Sequence, residues 1–142
     1  MKTSPKKIFQ PGEVILEVRD LVQVFGDRRV LDGINFQVRA GETFVIMGGS
    51  GCGKTTLLRC LIGAQKPTSG SIHLFGEEIT RMDPVEMDRI RLRFGMNFQF
   101  GALFQSMTLG ENIALPLREH SQVDPSLIEI IVKMKLELVG LT

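Results

Sequence analysis

The sequence has almost no net charge. Seventeen Lys and Arg stand against sixteen Asp and Glu, for a formal charge of +1. A nucleic-acid partner ordinarily calls for a basic excess or a basic patch, so nothing here supports one. The most basic stretch, Lys2, Lys6 and Lys7, reads as solvent-exposed decoration of a tail. Long apolar runs are lacking as well. Phe44-Val45-Ile46-Met47 is typical of the longest, far short of the ~20 residues a membrane-spanning helix needs. The first twenty residues carry lysines but no continuous apolar region behind them, which argues against a secretory signal. The chain therefore reads as cytoplasmic, and any work at a membrane requires another chain to do the spanning. Cysteine is scarce: Cys52 and Cys60 are too few for a disulfide framework. On a loop and the helix it feeds, they stand roughly 12 Å apart, beyond the reach of a bridge, and read as free thiols of a reducing compartment. There is no internal repeat and no low-complexity tract.

What is present is ordinary for a globular protein. The 142 residues, 43% hydrophobic and 23% charged, suffice for one domain with a core. Residues 1–12 read as a flexible lead-in ending at Pro11-Gly12. A β-branched stretch begins at Val14 and runs with interruptions to Phe25, and residues 26–29 form a turn. Residues 34–38 alternate apolar and polar, the mark of a half-buried strand. Residues 43–47 read as a short, fully apolar strand. Residues 54–64 read as a helix with Leu57, Leu58, Leu61 and Ile62 at helical spacing, weakened at its end by Gly63. A turn over residues 67–70 leads to a strand over residues 71–75. Asp83-Pro84 opens a helix to about Arg93, and residues 95–98 read as a strand. Thr108 and Glu111 match a capping box, with a short helix that stops before Pro116. Asp124-Pro125 opens the last helix, with Leu127, Ile128, Ile131, Met134 and Leu138 as its apolar face and Gly140 as its cap. That apolar face and the open sheet call for a covering partner.

The strongest signal is the run Gly48, Gly49, Ser50, Gly51, Cys52, Gly53, Lys54, Thr55, Thr56, which fits G-x-x-x-x-G-K-[ST]. Glycines let the backbone curl so that successive N–H groups converge on one point with no side chain in the way. The loop feeds a helix N-terminus, whose free N–H groups and dipole favour an anion. Lys54 then reaches the β- and γ-phosphates of a nucleotide, and the Thr55 hydroxyl is placed to ligate Mg²⁺. The pattern arises by chance in roughly one in a few hundred chains of this size, and the preceding apolar strand and following helix are its confirming context. Cys52 sits inside the loop, where a thiol near an ammonium group and a helix N-terminus gains reactivity; as a small residue it also simply fills a variable position. Cys60 reads as core.

The form G-x-S-G-x-G-K-T-T-L-L resembles the loop of ABC-transporter ATPases. It is flanked by Leu31-Asp32-Gly33-Ile34, Ala40-Gly41-Glu42 and Pro67-Thr68-Ser69-Gly70-Ser71-Ile72, each similar to that family's punctuation. The resemblance covers residues 14–142. It implies an α/β fold of the P-loop NTPase type, in which an antiparallel β subdomain joins part of a parallel core sheet and helices. It makes residues 13–142 the N-terminal part of one ATPase domain. It also implies that ATP and Mg²⁺ are the cofactors, that Phe25 stacks on the adenine, and that Gln99 is the glutamine of the Q-loop. That glutamine approaches Mg²⁺ and the attacking water and links the site to the membrane subunit, so Gln99 and Lys54 are the catalytic candidates. The dipeptide Phe104-Gln105 repeats Phe98-Gln99, and Gln99 is favoured because it follows the strand-like residues 95–98.

Three further stretches, residues 99–104, 111–120 and 134–141, look like the ATPase subunits of bacterial phospholipid-trafficking transporters of the maintenance-of-lipid-asymmetry and mammalian-cell-entry type. The implied partners are a transmembrane permease and a second copy of the ATPase. The implied place is the cytoplasmic face of the inner membrane, held there through the permease. The LSGGQ-like signature is absent, as are an apolar strand ending in Asp-Glu and a switch histidine after it. His73 and His120 come too early in the pattern and read as surface residues, and Glu77 and Glu78 as solvated. The chain therefore reads as a truncated or fragmentary sequence that holds phosphates with weak or no turnover of its own. A non-enzymatic nucleotide-binding fragment, or the ATPase of a different ABC importer, stays open beside the lipid reading. A P-loop kinase or GTPase would need a lid or guanine-reading motif that is not found.

Overall fold

The structure, a computed structural model, describes residues 8–99 and 101–141. Lys2, Lys6, Lys7 and most of the expected lead-in lie outside the described residues, as do Phe100 and Thr142. The chain divides into two compact units, one reaching to Gly95 and the other beginning at Met96.

The first unit is built on a long antiparallel hairpin. Strands β1 (Val14–Phe25) and β2 (Arg28–Arg39) pair with Leu16 opposite Val38, Val18 opposite Phe36 and Leu21 opposite Ile34. Helix α1 (Lys54–Leu61) follows, then β3 (Ser69–Leu74), the short β4 (Glu77–Glu78) and helix α2 (Pro84–Arg91). The sheet order is β2-β1-β3-β4, antiparallel throughout. Its core joins Val18, Leu21 and Leu31 of the hairpin to Ile72 of β3, Leu57, Cys60 and Leu61 of α1, and Met87 and Ile90 of α2. The start of α2 follows from the sequence: Asp83 accepts from the Glu86 N–H at 2.8 Å, Glu86 accepts from the Asp83 N–H at 3.1 Å, and Pro84 occupies the first turn, where its missing N–H costs nothing. Ahead of β1, residues 9–12 are tied to the sheet rather than loose. The Gly12 N–H donates to the Ala40 carbonyl at 3.1 Å, and Arg39 Nη1 donates to the Gly12 carbonyl at 2.8 Å.

Two expected strands do not form. Residues 43–47 and 95–98 have no ladder partner among the described residues. Val45 and Met47 are 66% and 86% exposed. A continuous apolar run is the signature of a strand covered on both faces in a parallel sheet. Such a strand exists only through its neighbours, and the antiparallel sheet recruits neither segment. His73 also departs from expectation. It is half-buried in β3, opposite Glu17 on one side and Glu78 on the other, with its Nδ1 buried. Glu77 accepts from Arg89 at 2.9 Å and from Arg93 at 3.2 Å instead of standing free in solvent.

The second unit is a helical pair, α3 (Leu109–His120) and α4 (Pro125–Glu137), with Ala114 and Ile128 as its buried residues. The Thr108–Glu111 capping box is present. The Thr108 N–H and hydroxyl bonded to Glu111 hold its carboxyl below the usual range, so that part of the cap persists above the ordinary carboxylate pKa and is lost as the pH falls through the lowered one. Helix α3 does not stop before Pro116 but runs through it to His120. Pro116 lies on the exposed side, where the carbonyl it leaves without a donor can be hydrated, and Ala114 holds the helix against α4. The face that α4 turns toward α3 matches the expected one only in part, at the buried Ile128. Ile128, Val132 and Leu136 line the groove with α3, whereas Leu127, Met134 and Leu138 are 47%, 57% and 76% exposed. Apolar residues cover a wide arc of α4 outside the stripe Glu129, Lys133 and Glu137, so periodicity alone selects no narrow face within it. At its end the Leu141 N–H donates to the Leu136 carbonyl at 2.9 Å and the Gly140 N–H to the Glu137 carbonyl at 3.0 Å, the expected glycine cap.

Asn112 organises the approach to α3. Its Oδ1 accepts from the Phe104 N–H at 2.8 Å, and the two hydrogens of its Nδ2 are shared among the carbonyls of Phe104, Met107 and Thr108 at 3.1, 3.2 and 2.9 Å. Asn112→Ala removes all four bonds from a half-exposed site. Local opening of the turn is expected to become easier by about 1.5 kcal/mol. The check is amide hydrogen exchange, which should speed up about tenfold at Phe104 while Val18 and Ile72 keep their rates.

Candidate functional site

The glycine-rich loop enters α1 through Gly53, whose left-handed backbone (φ 101°, ψ 4°) turns the chain into the helix. A side chain there is doubly disfavoured, because a Cβ would stand 3.0 Å from Val30 Cγ1 and 3.1 Å from the Val30 carbonyl oxygen. Strand β2 thus abuts the loop. The helix end is left open toward solvent. Gly53 supplies no side-chain cap, and the first turn carries no acidic residue. The first protein-bonded amide is Leu57, which donates to the Gly53 carbonyl at 2.8 Å, so the N–H groups of Lys54, Thr55 and Thr56 remain for an outside acceptor.

Lys54 folds back over the loop. Its Nζ donates to the Gly48 carbonyl at 2.8 Å and the Gly49 carbonyl at 2.7 Å, with Cys52 Sγ at 3.7 Å. An ammonium group has three donors; two fix the loop carbonyls, and the third meets only the weak acceptor Cys52 Sγ, which an anionic oxygen can replace. Glycines 48, 49 and 51, Ser50 and Cys52 are all exposed, as is Thr55 one residue into the helix. The arrangement is a concave cluster of amide donors with a cation at its rim, which is chemistry for a polyanion. Among the described residues no cluster of three or more His, Cys, Asp or Glu could hold a metal ion. The residues fit Mg²⁺ in one way only, through the Thr55 hydroxyl together with phosphate oxygens and water.

The β1–β2 turn flanks this loop. Phe25 closes β1 opposite Arg28, with half of its ring exposed. Arg28 Nη2 donates to the Gly51 carbonyl at 3.4 Å, joining the hairpin end to the phosphate loop. The structure therefore brings Phe25 to the same end of the first unit as Gly48 through Thr56. Arg28 was expected only as part of a turn; its position three residues after Phe25 is the one sequence signal that could have singled it out. Gln99 belongs to the second unit, exposed in a turn where the Gly101 N–H donates to the Phe98 carbonyl at 3.0 Å. Since residues 95–98 form no strand, the strand-end argument for Gln99 over Gln105 loses its footing. Cys60 is 1% exposed, and burial pushes its thiol pKa up; it is core, as expected.

The sequence profile of the family described as ABC transporter matches residues 31–139. The chain belongs to the ABC transporter family. Over 127 residues, 89% of its length, this ABC chain is 45% identical to the intermembrane phospholipid transport system ATP-binding protein MlaF of Haemophilus influenzae, of which it covers 48%. It is 44% identical over 131 residues to a probable ribonucleotide transport ATP-binding protein of Mycobacterium leprae, covering 38% of it. It is 41% identical over 128 residues to the methionine import ATP-binding protein MetN of Brucella abortus, covering 34%. The chain thus spans about half the length of MlaF and less of the others. Among solved structures, the ATP-binding cassette MJ0796 in a dimeric post-hydrolysis state bound to ADP and Pi superposes with a TM-score of 0.78 at 26% identity, over 89% of this chain and 58% of that one. The fold is that of an ABC ATPase cassette, represented by a part of it.

Proposed function

We propose that this ABC chain binds the polyphosphate of ATP, with Mg²⁺, through Gly48, Gly49, Ser50, Gly51, Cys52, Gly53, Lys54, Thr55 and Thr56. Phe25 stacks on the adenine, and the Thr55 hydroxyl serves the metal. One observation carries this reading: Lys54 Nζ lies on the carbonyls of Gly48 and Gly49 beside a helix start whose amides have no acceptor among the described residues. In that role the chain's groups bind, orient and neutralise; bound Mg²⁺ would supply charge stabilisation between the phosphates.

In the whole protein, residues 13–142 form the front part of one ATPase domain, which works as a pair of copies on a transmembrane permease at the cytoplasmic face of the membrane. Its ATP binding and hydrolysis drive transport, with phospholipid as the first candidate cargo. The relation to MlaF at 45% identity supports that cargo; relatives named for ribonucleotide transport and methionine import stand close behind it.

Cys52 supplies the test. It is exposed in the loop, whereas Cys60 is buried. Mg-ATP is expected to slow alkylation of Cys52 at least tenfold, roughly the occupancy effect of ligand at ten times its Kd. Cys60 should stay unmodified with or without nucleotide. The readout is peptide mass spectrometry after a short pulse of iodoacetamide. Identical Cys52 labelling with and without saturating Mg-ATP would remove nucleotide from this loop.

A further inference from the structure

The hairpin end carries a cation without a carboxylate. Arg29 is neutralised by Asp32 at 2.8 Å. Among the described residues Arg28, its neighbour, has no carboxylate partner, and its guanidinium's hydrogen bond goes to the Gly51 carbonyl at 3.4 Å. That bond is long for a guanidinium, whose planar fork is built for paired anionic oxygens at about 2.7–2.9 Å. A neutral carbonyl satisfies one of its five donors weakly. The loop that presents the carbonyl is the anion cradle itself, and the residue opposite Arg28 in the hairpin is Phe25. Arg28 therefore stands on the span between the aromatic ring and the phosphate loop.

We propose that Arg28 is a further nucleotide-binding residue, whose guanidinium leaves the Gly51 carbonyl and takes the phosphate nearest the nucleoside. The proposal rests on the nucleotide reading of the P-loop. The two ends of a nucleoside triphosphate are already taken there, the base by Phe25 and the terminal phosphates by Lys54 and the loop amides. Between them lie the ribose and the α-phosphate, and of these only the phosphate carries the anionic oxygens a guanidinium prefers. Arg28 being exposed at a hairpin end, the exchange of partners needs only side-chain rotation.

The experiment compares the unsubstituted chain with Arg28→Ala and Arg28→Lys, using ATP as the probe. Titration calorimetry should show about tenfold weaker ATP binding for Arg28→Ala, with Arg28→Lys recovering part of the loss, since it restores the charge but not the fork. ³¹P spectra of bound ATP carry the decisive signature: the α-phosphorus resonance shifts between the unsubstituted chain and Arg28→Ala, while the β and γ resonances hold. A purely structural role, in which Arg28 only steadies Gly51, would disturb the β and γ resonances as much as the α and would overturn the proposal. So would unchanged affinity in Arg28→Ala. Failure of the unsubstituted chain to bind ATP at all would overturn the P-loop reading and this inference together, whereas loss confined to the Arg28 variants without the α-specific shift sinks the inference alone.

Discussion

Lys54→Ala is expected to weaken ATP binding about a hundredfold while leaving the fold in place. A hydrogen bond to a charged group contributes about 1.5–3 kcal/mol, and an ammonium on a polyphosphate adds Coulomb attraction in a site that ligand partly dries. About 3 kcal/mol is a conservative sum, and each 1.4 kcal/mol is tenfold in Kd. The substitution acts twice. It removes the charge at the rim, and it frees the Gly48 and Gly49 carbonyls that the Nζ holds at 2.8 and 2.7 Å, so the loop is less often in its concave form. Both carbonyls lie in exposed residues and can be hydrated, so the folded state should lose less than about 1 kcal/mol. The measurement pairs calorimetric titration with thermal unfolding in the absence of nucleotide. Equal affinity in the two proteins would leave the central assignment without support. A large drop in melting temperature would shift the explanation from binding to folding.

This loop was legible because its chemistry is local. Spacing alone places six residues on a turn and the seventh at the head of a helix, and no distant segment has to cooperate. The capping boxes at Asp83 and Thr108 and the glycine cap at Gly140 were readable or nearly so for the same reason. What depended on neighbours was not. Residues 43–47 have the composition of a buried strand, yet a strand is a relation between segments, and none pairs with this one among the described residues. Helix α4 shows the same limit in another form. Its apolar residues cover a wide arc, so the face it turns to α3 is decided by packing: of the expected stripe Ile128 lines the groove, joined by Val132 and Leu136, while Leu127, Met134 and Leu138 stay exposed. Pro116 was a sound local argument for a helix end that tertiary contact overrode. In the candidate site, Phe25 and the loop were visible one by one. Their common location, and Arg28 as the link between them, required the register of a hairpin whose bulges no single-residue pattern reveals.

Gly70→Ala is the substitution in the first unit expected to cost the most stability, about 3 kcal/mol, and the reason lies in that same bulged hairpin. Gly70 is not in a turn, as its Pro-Thr-Ser-Gly context implies, but inside β3 with φ at 90°. A Cβ there would stand 2.5 Å from the Asp20 carbonyl oxygen and 2.7 Å from that of Arg19. Both are backbone atoms of β1, the strand flanked by β2 and β3 in the sheet, and they fall where its pairing shifts register against both neighbours. The strand cannot retreat on the far side. The Asp20 N–H donates to Asn35 Oδ1 at 2.9 Å, and Asn35 Nδ2 donates to Asp20 Oδ1 at 2.9 Å, pinning the bulge to β2. The left-handed backbone costs an alanine about 1–2 kcal/mol, and forcing a methyl into a packed site adds about 1–3 kcal/mol. Gly76→Ala separates the two contributions: its φ is 83°, but nothing lies within 4 Å of its would-be Cβ, so it should cost only about 1 kcal/mol. Urea unfolding followed by circular dichroism measures both. Gly70→Ala no more costly than Gly76→Ala would mean that β3 does not approach the β1 backbone this closely, and the bulge that sets the course of β1 toward Phe25 would have to be redrawn.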